Sequence, residues 1–171
     1  PYIGLLVSGG NTALYEVRGC GDYPLIGKTV DDAVGEAFDK VAKLLDLGYP
    51  GGPAVERLAR TAVRRGKLFP KILPDPDGDY RFSYSGLKTA VIQYRRAHPE
   101  ADAAEIVHSF QERALEILVR RVYAASRESG IPRIVVAGGV AANGRLREML
   151  AEARLKGEEV IVASPVLCTD N

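Results

Sequence analysis

Residues 134–146, reading IVVAGGVAANGRL, constrain the fold of this chain more than any other stretch. The apolar run 134–137 is typical of a buried parallel strand, and a Gly-Gly pair ends it. From Asn143 onward, polar and apolar residues alternate at helical spacing to about Leu155, and residues 159–163 form another strand-like run. The order predicts a parallel βαβ unit. Its glycine turn is either an ordinary connection or a crevice where the backbone closely approaches a flat or phosphorylated ligand.

Apolar runs near the start of the chain predict a β-hairpin. Residues 2–7 (YIGLLV) form one strand and residues 13–18 the next, with a third short strand near residues 23–26. The hairpin turn SGGN at positions 8–11 is longer than the favoured two-residue turn. Turn chemistry alone would account for its Gly and Asn residues, but the extra length favours a nest of backbone N–H groups for phosphate or carboxylate.

The segment between these β regions has the apolar spacing of helices. A capping-box pattern at residues 29–32 predicts the start of a helix that extends to about Leu47. The YPGGP sequence at residues 49–53 predicts a stiff turn after it. Ser85 is the expected N-cap of a later helix. The helices predicted after the turn span residues 54–66, 86–97 and 101–128.

One stripe of the first predicted helix is charged. Asp32, Glu36, Asp39 and Lys43 recur at intervals of four, three and four residues. Such a stripe is usually a solvated face, here with a pair between Glu36 and Lys40. In a helix beside a nucleotide crevice, however, a carboxylate can bind ribose hydroxyls. The spacing is compatible with both interpretations.

Two other segments could contact anions. The serines, lysine and threonine of residues 83–89 surround a predicted helix start, which would suit either a plain N-cap or an anion site. Residues 57–71 contain no acidic residue, and their basic side chains form either a solvated face or a phosphate-contact surface. The basic residues are Arg57, Arg60, Arg64, Arg65, Lys67 and Lys71.

The bulk properties narrow the class of protein. A net charge of +1 indicates no particular partner, and no apolar run approaches the roughly 20 residues that span a bilayer, so no membrane association is expected. Cys20 and Cys168 match no metal-binding spacing and are expected to be reduced thiols in a cytoplasmic protein. Because the sequence begins at Pro1 and ends at Asn171 without a terminal helix, we expect it to be a piece of a longer protein.

Five of these segments, taken in order, resemble the TsaD family of tRNA N6-adenosine threonylcarbamoyltransferases, once called glycoproteases. They are LLVSGGNT, residues 31–43 with YPGGP, FSYSGLKTA, AGGVAAN and the closing CTDN. The resemblance extends through nearly the whole chain. It implies an α/β fold of the actin-like ATPase superfamily, with two lobes of RNase H-like topology. Residues 1–171 would be most of the second, C-terminal lobe, with an N-terminal β-hairpin, a parallel βαβ unit and a helical insertion at about residues 30–130.

The resemblance also implies an activity. Members of this family are acyltransferases that move a threonylcarbamoyl group from threonylcarbamoyl-adenylate to N6 of adenosine 37 in tRNAs that read codons starting with A. The implied ligands are tRNA, a nucleotide such as threonylcarbamoyl-AMP or ATP, and one divalent metal ion, iron or zinc, per full-length subunit. TsaB-like and TsaE-like proteins are the implied partners. A fragment with one lobe is expected to be inactive alone.

Particular residues match the family's motifs. The resemblance implies a phosphate-side loop at Leu6, Val7, Ser8, Gly9 and Gly10. It implies adenosine and ribose contacts at Asp39, Gly52 and Asn143, and a metal ligand at Asp170.

The chain departs from the family pattern in two ways. The family's other metal ligands are two histidines in an HxxxH pattern upstream of the SGG loop, whereas His98 and His108 of this chain are in a different region. Asn11 stands where bacterial members usually have histidine, so a protonatable side chain is missing there.

Two other functions remain open from the sequence. One is a non-catalytic dimerisation paralogue of the same machinery, which would lack the metal ligand. The other is an ATPase or kinase of the actin-like fold. Asp39, Asn143 and Asp170 together favour the transferase over the paralogue.

Overall fold

The computed structural model describes residues 1–164 and contains a mixed sheet of five strands. In chain order the strands are β1 (Tyr2–Val7), β2 (Thr12–Val17), β3 (Leu25–Lys28), β4 (Arg133–Ala137) and β5 (Glu159–Val162). Their order across the sheet is β3-β2-β1-β4-β5. The β1–β2 and β2–β3 pairs are antiparallel, and the β1–β4 and β4–β5 pairs are parallel. The predicted hairpin and the parallel βαβ unit are both present.

Helices pack around the strands in the described part of the chain. They are α1 (Val34–Leu44), α2 (Gly51–Ala59), α3 (Ser85–Ala97), α4 (Ala103–Ser129) and α5 (Gly144–Ala153). The first four lie between β3 and β4 in the chain, and a short 3₁₀ turn, Gly139–Ala142, connects β4 to α5. The 3₁₀ turn comes directly after β4, at the sheet edge where ligands of parallel α/β folds bind.

The hydrophobic core lies between the sheet and the helices. Every second residue of β1 is fully buried, namely Ile3, Leu5 and Val7. Across from them, Phe110 of α4 meets Phe38 of α1 edge to face, with 5.1 Å between the ring centroids. Such pairs stabilise a core beyond the area that they bury. The core therefore fixes α1 and α4 relative to β1.

The opposite face of the sheet has an apolar groove of about 360 Å³, which we call the sheet-face groove. Its lining includes Leu6 of β1, Tyr15 of β2 and Val135 of β4. Tyr23, which is 59% exposed, lies at this groove. Within residues 1–164, no helix combines the length and the apolar composition that a membrane span requires.

The start of α1 differs from the sequence prediction. Residues 29–32 do not form its capping box. The Thr29 hydroxyl donates to the backbone oxygen of Asp32 at 2.6 Å and closes a turn ahead of the helix, whose N-cap position is Ala33. The predicted stripe of buried residues is correct for Val34, Phe38 and Val41.

Helix α2 begins earlier and ends earlier than predicted. The YPGGP segment does not separate two helices, because Gly51, Gly52 and Pro53 form the first turn of α2. Proline is tolerated there, since the first N–H groups of a helix have no intrahelical acceptor. The helix ends at Ala59, and Val63 beyond it is 89% exposed. Without an apolar face to bury, the basic residues that follow do not continue the helix.

Candidate functional site

Four segments that are distant in sequence line one cavity of about 370 Å³, which we call the cleft. They are the turn after β1, helix α1, the start of α2 and the 3₁₀ turn after β4. Together they bring Gly9, Asp39, Gly52, Gly139 and Asn143 to one place. Asp39, Gly52 and Asn143 were predicted site residues, as was the loop that contains Gly9.

The turn after β1 forms one wall of the cleft. Its ends are joined by hydrogen bonds from Ser8 N to Asn11 O at 2.8 Å and from Asn11 N to the Ser8 hydroxyl at 3.0 Å. The N–H groups of Gly9 and Gly10 donate to no acceptor among residues 1–164. Successive free N–H groups in a turn are suited to binding an anion.

Two glycines let the walls of the cleft approach one another. A Cβ atom on Gly35 of α1 would lie 2.5 Å from Ser8 O and 2.8 Å from Gly9 Cα. Gly138 has φ of +103°, and a Cβ there would lie 2.2 Å from Val7 O. Any larger residue would push α1 or the 3₁₀ turn away from the loop after β1. Gly138, directly after β4, is therefore required for close packing of the backbone.

Asp39 connects α1 to α2. One carboxylate oxygen, Oδ1, accepts a hydrogen bond from Gly51 N at 2.7 Å and satisfies a free donor at the start of α2. The other oxygen, Oδ2, accepts no hydrogen bond from residues 1–164. The side chain thus has a structural contact through one oxygen and a free acceptor through the other, at the border of the cleft.

Asn143 is 7% exposed and is the N-cap of α5. Its Oδ1 accepts from Leu146 N at 3.0 Å, and its Nδ2 donates to Gln111 Oε1 on α4 at 3.1 Å. An amide group has four hydrogen-bonding positions, so two remain for a ligand. Neither this cap nor the buried Gln111 that holds it was predicted from the sequence.

Glu56 also lines the cleft and was not predicted from the sequence. Its Oε1 accepts from Gly144 N at 3.0 Å and from the Arg60 guanidinium at 2.6 Å. Glu56 follows Gly52 by four residues, which places both on one face of α2. That spacing was the available signal, although it became informative only once α2 was known to begin at Gly51.

The remaining predicted residues have different positions. Leu6 points to the sheet-face groove, Val7 is buried beneath the loop, and Gly10 is exposed beside Gly9. Asp170 lies outside the described residues. Residues 1–164 contain no group of three His, Cys, Asp or Glu side chains placed to bind a metal ion. The metal site implied by the resemblance is therefore not assembled from the described part of the chain.

The start of α3, for which the sequence left open an anion site or a plain N-cap, is occupied by a carboxylate of the chain itself. Asp31 accepts hydrogen bonds from the Ser83 hydroxyl, from Tyr84 N at 2.8 Å and from the Ser85 hydroxyl at 2.7 Å. Partial burial opposes ionisation of Asp31, but these hydrogen bonds outweigh it and lower its pKa. Ser85 thus binds Asp31 instead of capping α3, which begins at Ser85.

Asp32 extends this contact between α1 and α3. Its carboxylate binds Lys40 at 2.7 Å and Lys88 at 2.8 Å, and Lys40 also binds Glu36 at 2.7 Å. Burial opposes ionisation of Asp32, but the two lysines lower its pKa. The predicted pair of Glu36 and Lys40 is therefore present, and Lys88 is bound within the protein.

Four helix starts are thus capped by residues of other elements, an arrangement we call cross-element capping. Thr12 Oγ1 accepts from Val34 N of α1 at 2.8 Å. Asp39 accepts a backbone hydrogen bond at the start of α2, Asp31 at the start of α3 and Glu56 at the start of α5. Helix α4 has a local cap, because Asp102 accepts from Ala104 N at 2.9 Å. Helix α5 has the local cap Asn143 in addition to Glu56.

The basic stretch of residues 57–71 lies partly beside a second cavity of about 500 Å³. Arg60 and Lys71 form ion pairs with Glu56 and Asp75. Arg64 and Arg65 are exposed and form no ion pair with residues 1–164. These two side chains leave positive charge available for a phosphate contact.

Comparison with known proteins gives a family. The sequence model of the family described as TsaD, tRNA N6-adenosine threonylcarbamoyltransferase, matches residues 1–171. Curated proteins of that name from Geotalea daltonii and a Geobacter species are 51% and 50% identical to the chain over its whole length. The chain spans about half of each relative, 51% in both cases.

Solved structures share the fold. HypF from T. kodakarensis aligns with 99% of the chain at a TM-score of 0.67 and 15% identity, over 32% of its own length. A full-length HypF in a phosphate- and nucleotide-bound form aligns with 98% of the chain at a TM-score of 0.72 and 16% identity, over 31% of its own length. The activator of 2-hydroxyisocaproyl-CoA dehydratase from Clostridium difficile, with bound ADPNP, aligns with 95% of the chain at a TM-score of 0.57 and 16% identity, over 54% of its own length. These neighbours have the actin-like ATPase fold, which confirms the predicted fold class.

Proposed function

This chain belongs to the TsaD family, and from that membership we propose that its protein is an acyltransferase that moves threonylcarbamoyl from threonylcarbamoyl-AMP to N6 of adenosine 37 in tRNA. We assign the cleft to the adenylate part of the donor. The main support is the convergence of Gly9, Asp39, Gly52 and Asn143 in one cavity. Two of the structural neighbours were solved with a nucleotide bound, which also supports this assignment.

The loop after β1 would hold the phosphate of the adenylate. The free N–H groups of Gly9 and Gly10 can donate to phosphate oxygens, and Ser8 fixes the loop by its bond to Asn11. The first N–H groups of the 3₁₀ turn after β4 would add donors on the opposite side. Leu6 and Val7 would position the loop as the last residues of β1.

Asp39 and Asn143 would hold the nucleoside. The free Oδ2 of Asp39 would accept from a ribose hydroxyl, and the remaining positions of the Asn143 amide would bind the adenosine. Gly52 would leave space for the ligand, since a Cβ built on it has no neighbour within 4 Å.

The acyl transfer requires a good leaving group more than an acid or base of this chain. The amine N6 forms a bond to the carbamoyl carbon, the bond from that carbon to the phosphate oxygen breaks, and AMP and a proton depart. Fixed N–H donors at the phosphate stabilise the charge that it gains as it leaves. The turn at Gly9 and Gly10 is suited to this role.

Other parts of the active protein would lie outside the described residues. We propose that the chain is the second lobe of a two-lobe protein, with α1 to α4 as the helical insertion. Asp170 would be one ligand of an iron or zinc ion, and TsaB-like and TsaE-like proteins would be partners in a cytoplasmic complex. The binding and transfer steps described above use residues 1–164 alone.

Gly52 provides the test of the cleft assignment. In the full-length protein, Gly52→Ala adds a methyl group for which the protein has space. A nucleotide bound in the cleft would leave no space for this methyl group. Alanine is a better helix former than glycine, so we expect equal or higher stability, by up to about 1 kcal/mol. We expect AMP affinity, measured by calorimetry, to fall by about tenfold or more.

Gly19→Ala is the matched control, because its Cβ also has no neighbour within 4 Å and Gly19 lies outside the cleft. Unchanged AMP affinity in Gly52→Ala would contradict the cleft assignment. Mass spectrometry of tRNA incubated with the full-length protein and threonylcarbamoyl-AMP tests the reaction itself. Nucleotide binding without modified adenosine would favour the non-catalytic paralogue.

A further inference from the structure

An aromatic ring stands exposed beside the cleft. Among the exposed large apolar side chains of residues 1–164, two are aromatic, Tyr49 at 86% and Tyr23 at 59%. Tyr23 belongs to the sheet-face groove, whereas Tyr49 borders the cleft. A ring this exposed contributes little to the core, so its position needs another explanation.

Tyr49 separates the cleft from a neighbouring groove. This outer groove has a volume of about 510 Å³, and Tyr49 and Asp39 line both cavities. A ligand in either cavity could therefore contact one face of the same ring. The outer groove opens next to the nucleotide but is a distinct space.

The backbone that follows Tyr49 packs closely against α1. Two residues later, Gly51 donates its N–H to Asp39 at 2.7 Å, and a Cβ on Gly51 would lie 2.6 Å from Asp39 Cα. The chain around Tyr49 is thus pressed against α1. A tyrosine side chain has few rotatable bonds, so a ring on a fixed backbone loses little entropy when it binds a flat ligand.

The charges of the outer groove favour a neutral ring over a phosphate. Its lining includes the carboxylates of Glu36, Asp39 and Asp46 and the ammonium groups of Lys40 and Lys43. The carboxylates would repel a phosphate. A nucleobase is flat and uncharged, and its edge carries both donors and acceptors that such a mixed surface can satisfy.

We propose that Tyr49 is the stacking surface for a nucleobase at the outer groove beside the nucleotide cleft. This inference rests on the proposed function, in which a base of an RNA must reach the carbamoyl group held in the cleft. Bases stack on aromatic side chains in a sequence-tolerant way, and removing one such aromatic side chain costs about 1–3 kcal/mol, or roughly 5- to 150-fold in affinity. The base could come from the RNA or from the adenine of the donor, and the experiment separates these sources.

Tryptophan substitution provides a spectroscopic probe, because the 171 residues contain no tryptophan and the fluorescence added relative to wild type comes from the substituted position. In the full-length protein, Tyr49→Trp places an indole at the outer groove, and Tyr23→Trp places one at the sheet-face groove as the matched control. Each is titrated separately with a short single-stranded oligoadenylate and with AMP. We expect the oligonucleotide to quench the additional fluorescence of Tyr49→Trp and to leave that of Tyr23→Trp unchanged. Quenching by AMP would identify the stacked base as that of the donor.

Affinity measurements on side-chain variants identify the group responsible. Tyr49→Phe keeps the ring and should bind the oligonucleotide within about twofold of wild type, whereas Tyr49→Leu and Tyr49→Ala should bind roughly 5- to 150-fold more weakly. Because Tyr49 is 86% exposed, all three should melt near the wild-type temperature. Wild-type affinity of the leucine and alanine variants for both the oligonucleotide and AMP would overturn the stacking role and leave the proposed function intact. If the wild-type protein binds neither AMP nor RNA, the proposed function itself fails.

Discussion

Asp39 is the residue whose structural and binding roles can be separated by mutation. Asp39→Asn retains an oxygen that can accept from Gly51 N, whereas Asp39→Ala removes the cap of α2. We expect the alanine variant to lose about 1 kcal/mol of stability and the asparagine variant much less. Both variants lose the charged acceptor proposed for ribose, and the alanine variant should lose about 1.5–3 kcal/mol of nucleotide binding.

Denaturant unfolding and calorimetric titration of the full-length protein measure the two effects separately. If nucleotide affinity stays at the wild-type level while Asp39→Ala lowers the unfolding free energy, then Asp39 is only a cap. The sequence predicted the residue from its place in a polar stripe. The sequence did not predict the hydrogen bond from Gly51 to Asp39, because it predicts a start of α2 at residue 54, three residues later than in the structure.

The contact between α1 and α3 shows why helix positions were easier to predict than helix starts. The predicted extents of α3 and α4 are correct to within two residues. Local rules failed at Ser85, since its partner Asp31 lies 54 residues earlier in the chain. Caps supplied from another element leave no local pattern in the sequence.

The same contact should make stability depend on pH in the acid range. The pKa of Asp31 is lower in the folded chain than in the unfolded one, since the hydrogen bonds from Ser83, Tyr84 and Ser85 outweigh the opposing effect of burial. Ionised Asp31 therefore stabilises the fold above pH of about 4, and this contribution is lost as the pH falls through the lower folded pKa.

We expect Asp31→Asn to be less stable than wild type at pH 7 by up to about 1 kcal/mol, because Asp31 is exposed and solvent screens its charge, with the difference shrinking toward pH 3. Urea unfolding at a series of pH values measures it, and Asp77→Asn at an exposed loop position is the control. A difference that does not change with pH would show that the carboxylate charge of Asp31 is unimportant.

At the scale of the whole molecule, the distribution of positive charge predicts how an RNA would dock. Arg64 and Arg65 are exposed without ion pairs to residues 1–164, unlike Arg60 and Lys71. If the two arginines bind phosphates, replacing both with alanine should reduce the slope of log affinity against log salt by about 0.7–0.9 for each phosphate that is no longer neutralised.

Binding of tRNA to the full-length protein at several salt concentrations measures this slope. Arg154→Ala combined with Lys156→Ala removes the same charge from the exposed end of α5 and should leave the slope unchanged. Equal slopes for wild type and for the variant with Arg64 and Arg65 replaced would show that these arginines form a solvated face and bind no phosphate.

The topology and much of the cleft followed from the sequence because they depend on repeated local patterns. Alternating and apolar runs gave the strands, and glycine clusters after β1 and β4 marked the turns that meet at the cleft. Glu56, Gln111 and Tyr49 were not assigned to the site, because their relevance depends on which elements are neighbours in space. A glutamate and a glutamine on amphipathic helices look like ordinary polar positions until the opposing helix start is known.

Cross-element capping has a direction along the chain. In each of the four cases the cap precedes its helix: Thr12 before α1, Asp39 before α2, Asp31 before α3 and Glu56 before α5. A chain that leaves the ribosome from its N-terminus therefore exposes each acceptor before the helix that needs it emerges from the exit tunnel. Each new helix can begin on a residue that is already outside the exit tunnel, so the order of synthesis matches an order of assembly.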